Sequence, residues 1–119
     1  MSQVSKVFVD GAHSLDEVAA KASAALGRGF YVDRDQHRSE PGRPWVIIHA
    51  NDLDESWNED GYPLHTYPYV IQLEAGDDRF DVARRVFDAL RADGLRVLLF
   101  DEPQGFLDQH EPDRAFAAR

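Results

Sequence analysis

The chain lacks cysteine entirely, which excludes disulfides and thiolate metal sites together. It also lacks long apolar runs. The longest are four or five residues, far short of the ~20 that span a bilayer. The opening Met1-Ser2-Gln3-Val4-Ser5-Lys6 has no apolar h-region, so no signal peptide is expected and a cytoplasmic location is. Basic residues are scarce: 13 Lys and Arg stand against 22 Asp and Glu, for a net charge of −9. That balance argues against nucleic acid or an anionic membrane as the main partner, because phosphate contacts need Lys and Arg.

Catalytic signatures are missing as well. There is no Gly-x-Ser-x-Gly elbow and no serine beside a plausible base. Gly27-Arg28-Gly29 has none of the other parts of a nucleotide-binding loop. The five histidines (His13, His37, His49, His65 and His110) never take the i,i+4 spacing of a zinc helix. No catalytic residue, cofactor or metal is therefore expected from motifs, and whether the chain is an enzyme stays open at this point.

The 119 residues suit one domain, 1–119, that buries roughly two-thirds of its unfolded surface. Val7-Phe8-Val9 reads as a strand. Ser14-Leu15-Asp16-Glu17 is a capping box opening a helix with the stripe Leu15, Val18, Ala19, Ala22 and Leu26, closed by Gly27. Strands follow at Phe30–Val32, Trp45–Ala50 and Tyr69–Glu74, with 33–44 read as a long polar loop. A second helix carries Phe80, Ala83, Val86, Phe87 and Leu90 on one face and Arg84, Arg85, Asp88 and Arg91 on the other. Gly94 ends it before the strand Arg96–Phe100, and 103–119 reads as an extended tail with Phe106, Leu107 and Phe116 as docking points.

The order β-α-β-β-β-α-β predicts an α+β fold. It is a two-layer sandwich with both helices on one face of a mainly antiparallel sheet, a ferredoxin-like variant. Yet Trp45-Val46-Ile47-Ile48 and Val97-Leu98-Leu99-Phe100 are apolar on both faces. Something must cover the second face: the tail, the long loops or a second subunit.

What the chain does have is acid in one place. Residues 1–50 hold six acids and six bases, whereas 51–113 hold sixteen acids and five bases. The density peaks between Asn51 and Tyr69, where Asp52, Asp54, Glu55, Glu59 and Asp60 surround Trp57, and Tyr62, Tyr67 and Tyr69 follow. A loop of this length in a small domain is either functional or a solvated connection with Trp57 folded onto the core. Acids around aromatics suit a protein interface: the rings anchor and the carboxylates steer. Calcium is a poor fit. Counting an EF-hand from Asp52 puts Trp57 at the glycine position, and counting from Gly61 ends the loop on Tyr67.

A single cysteine-free α/β domain with excess acid beside aromatics resembles the small acidic immunity proteins of bacterial polymorphic toxin systems. The runs Tyr67–Glu74, Val82–Arg85 and Leu90–Val97 are similar in texture to such proteins. The helix–Gly–strand ending Phe87–Phe100 is also found in barstar-type inhibitors, but the Trp-and-acid helix of that type has no counterpart here. The resemblance implies a protein that binds and blocks a basic toxin domain. The expected contacts are Asp52, Asp54, Glu55, Trp57, Glu59, Asp60, Tyr62 and Tyr67. The alternative is a homodimeric α+β-barrel enzyme or ligand-binding protein with a pocket near His49, Trp45 and Tyr31.

Overall fold

The computed structural model describes residues 4–39, 44–52, 63–102 and 104–110. At its centre β1 (Val4–Asp10) lies between β5 (Tyr69–Glu74) and β6 (Arg96–Asp101), antiparallel to both. β4 (Trp45–Ala50) pairs with the far side of β5. Helix α1 (Leu15–Leu26) follows β1, and α2 (Arg79–Ala92) joins β5 to β6. Helix α2 carries the chain from β5 across β1 to β6, while α1 carries it from β1 to the far edge, from which it returns to β4 beside β5. The central order β4-β5-β1-β6 is thus the doubled split βαβ of the ferredoxin-like arrangement. The α+β sandwich expected from the sequence is the observed class, within a sheet ordered β2-β3-β4-β5-β1-β6-β7.

The two edge additions differ from the sequence expectation. Residues 33–44, read as loop, contain β3 (Gln36–Ser39), which forms a hairpin with β2 (Phe30–Asp33). Gln-His-Arg-Ser offers no apolar alternation. It holds its place by polar side chains instead: Arg38 Nε lies 3.1 Å from Asp33 Oδ2, and His37 Nε2 lies 2.9 Å from Asp16 Oδ1 on α1. The stretch read as tail contains β7 (Gly105–His110), paired with β6. Phe106 faces Phe100 and Asp108 faces Leu99, so Leu107 is an extra residue in the ladder. That bulge breaks the period-2 pattern and leaves Leu107 exposed.

Local chemistry explains the helices. Ser14 Oγ accepts from Glu17 N at 3.2 Å, and Glu17 Oε2 accepts from His13 N at 2.6 Å. Gly27 turns the chain out of α1 at φ 65°, donating to Ser23 O. The small buried residues Ala19 and Ala22 let α1 lie close to the sheet, while α2 inserts Val86, Phe87 and Leu90. These meet Val7, Val9, Val46, Ile48, Ile71, Leu73, Val97 and Leu99, the inward set of the four central strands. No helix among the described residues is long and apolar enough to cross a membrane.

The second face is covered from within the chain over part of its area. Leu64 and Tyr67 fold back onto Phe8, Val70 and Leu98, with Phe100 and Phe106 alongside. Towards β2 the same face carries Tyr31 and Trp45, both exposed.

Candidate interface

The acid-rich connection leaves the sheet at the end of β4 and returns at the start of β5, and its base is tied shut. Asn51 N donates to Pro68 O at 2.8 Å. The Asn51 side chain then bridges the returning strand: Nδ2 donates to Leu64 O at 2.8 Å and to Tyr67 O at 2.7 Å. A single 3-10 turn, Leu64–Thr66, shapes the return, with Thr66 N and Oγ1 both donating to Pro63 O. One amide side chain thus donates to two carbonyls of the returning segment, Leu64 O accepting from Tyr67 N as well.

Beneath the turn lies a buried arginine. Arg96, 3% exposed, opens β6 opposite Asp10 on β1. Its Nη1 donates to Thr66 Oγ1 at 2.9 Å and lies 3.5 Å from Asp10 Oδ2. Its guanidinium sits 4.0 Å from the centroid of the Tyr67 ring, which also tilts against Phe8. A cation under an aromatic face in a desolvated site is held by both charge and ring quadrupole. The loop's return is therefore stapled to the sheet by Asn51 from one side and by Arg96 from the other.

The expected contact residues separate on this framework. Asp52 is exposed just beyond the Asn51 clamp. Asp54, Glu55, Trp57, Glu59, Asp60 and Tyr62 lie outside the described residues. Tyr67 is 1% exposed and packs inside the chain, so its ring offers no surface to a partner. Its sequence neighbourhood, rich in tyrosine and proline, resembled an exposed loop, and only the fold reveals the arginine beneath it. Asn51 and Arg96 escaped sequence reasoning. The one available sign was a charged residue opening an otherwise apolar strand.

The residues of the alternative reading gather more closely. Tyr31, Trp45 and His49 share the open face, since Tyr31 pairs with Arg38, Arg38 with Ile47, and Ile47 and His49 flank Ile48 on β4. Tyr31 and Trp45 line an open cleft of about 380 Å3 with Arg38, Ser39, Val46 and Ile47. The cleft forms where β3 and β4 part, and there Ser39 Oγ accepts from Val46 N at 3.1 Å in place of a ladder carbonyl. His49 is half-buried outside that lining, with Nδ1 donating to Ala50 O at 2.8 Å. Among the described residues no three His, Asp or Glu side chains are grouped to hold a metal ion. No protein-family model, curated protein or solved structure matches the chain.

Proposed function

We propose that this protein is a protein-binding module of the immunity type, which meets a basic toxin domain with its acidic loop and blocks it. One observation carries the reading: the densest run of acid in the chain sits on a connection whose two ends are clamped together. A loop held at its base loses less freedom when a partner orders it, so more of the contact energy appears as affinity. Carboxylates grouped on such a loop accelerate encounter with a positively charged surface, and the acceleration fades with salt. Asp52, Asp54, Glu55, Glu59 and Asp60 steer in this reading, and Trp57 and Tyr62 anchor. Tyr67 supports the loop from below.

The test begins with the reading frame adjoining this chain's own. Its product should arrest growth when expressed alone and be harmless when this chain is coexpressed. Neutralising the five loop carboxylates should slow association about tenfold or more at low salt. Harmless neighbours, or a complex indifferent to those changes, would sink the proposal.

The cleft between Tyr31 and Trp45 is the one observation favouring a ligand-binding dimer. Solution mass separates the two: a stable dimer enclosing Trp45 supports the alternative, and a monomer the inhibitor.

A further inference from the structure

We infer that the Tyr31–Trp45 cleft is a second contact surface, one that receives an arginine or lysine side chain from a basic protein partner. This rests on the reading that the partner is basic, and it adds a place where that charge is bound. Among the described residues Tyr31 and Trp45 are the two aromatic rings left exposed, at 51% and 52%. They stand on the same sheet face across β2, β3 and β4 and line one cleft.

Charge selects the occupant. Glu74 is the direct cross-strand neighbour of Trp45, on the same face. Side chains so paired have Cβ atoms about 5 Å apart, which sets a carboxylate beside the indole. An aromatic face with a carboxylate next to it attracts a cation through both quadrupole and charge. The cation already in the cleft is engaged: Arg38 Nε lies 3.1 Å from Asp33 Oδ2, and its Nη2 donates to Gln36 Oε1 at 3.1 Å. A second copy of the chain is the natural rival for an exposed aromatic pair. Two bodies of charge −9 repel, however, whereas a basic partner is drawn to the same face.

Position supports the same occupant. Trp45 begins β4 and Asp52 lies just past its end, a separation of about 20 Å in extended chain. One standard interface, roughly 800 Å2 per partner, covers that span. A single basic protein can therefore rest on the acidic loop and place one cationic side chain between Tyr31 and Trp45.

The experiment is a two-dimensional NMR titration of the full chain with the peptide Gly-Arg-Gly-Arg-Gly, against Gly-Gln-Gly-Gln-Gly. Saturable shifts at the Trp45 indole N–H and the Tyr31 and Glu74 amides are expected with the arginine peptide alone. Trp45→Ala should weaken that binding about fivefold. Glu74→Gln should weaken it too, while Asp88→Asn, which removes the same charge from α2, should not. Tyr31→Ala is the second variant should Trp45→Ala fail to fold. Shifts confined to Asp52 and the loop beyond it would overturn the cleft but leave the acidic-loop reading standing. Cleft shifts without loop shifts would support the cleft and count against the loop. Equal response to the glutamine peptide, or no response, overturns the inference. So does a concentration-dependent dimer that Trp45→Ala dissolves.

Discussion

Among the described residues two arginines are buried, one on each face of the sheet, and they are held by different means. On the helix face Arg79, at the start of α2, donates through Nη2 to Asp101 Oδ1 at 3.1 Å. The same oxygen accepts from Ser5 Oγ at 2.6 Å, and Oδ2 accepts from Gln104 Nε2 at 2.9 Å. That carboxylate gathers β1, β6, α2 and the β6–β7 turn. On the opposite face Arg96 meets Asp10 at 3.5 Å, a looser pair, and is held as well by Thr66 and the Tyr67 ring. Both of those belong to the loop's return. The first cluster is internal to the framework; the second joins the framework to a loop.

The largest effect should follow from breaking the tighter cluster. Asp101→Ala leaves Arg79 buried without its carboxylate and should lower global stability by about 3–5 kcal/mol. In urea, helix and sheet signals should fall together at a reduced midpoint. A loss under 1 kcal/mol would mean the cluster is incidental.

Arg96→Met should cost about 2–4 kcal/mol, because Asp10 loses the arginine's charge and the contact with the Tyr67 ring is lost. Its distinguishing mark is local. The amides of Thr66 and Tyr67, which donate to Pro63 O and Leu64 O, should exchange with solvent well before those of β1 and β5. Uniform acceleration across the sheet would erase the contrast between the two arginines.

Asn51→Ala is the smallest and sharpest of the three. It removes two hydrogen bonds and should cost about 2 kcal/mol. It should raise exchange at Thr66 and Tyr67 without touching the Ser5–Asp101 region. It should also slow association with a basic partner less than neutralising the carboxylates does, since it loosens the loop but leaves its charge.

These clusters also mark where the sequence was readable. The central strands and both helices declare themselves through apolar period and caps: Ser14 and Gly27 bound α1 as expected, and α2 buries Ala83, Val86, Phe87 and Leu90 of the expected stripe, with Phe80 partly buried. β3 and β7 did not, for separate reasons. β3 is polar throughout and exists because β2 and β4 flank it, while the bulge at Leu107 removes the alternation of β7. The acidity of the loop was legible, being a property of composition. Its clamp was not, because Asn51, Tyr67 and Arg96 meet only after β4, β5 and β6 have aligned. The aromatic pair at the open cleft likewise depends on β3, which brings Tyr31 and Trp45 onto one face.

The clamp at Asn51 bears on how such a protein can change. With the two ends of residues 52–67 fastened by their own bonds, closing the loop is the work of the base and not of the sequence at its tip. Doubling the length between them adds only about 0.6 kcal/mol of closure entropy. The tip is thereby free to drift in length and charge at little risk to the fold, and one scaffold can be refitted to successive partners while its core stays still.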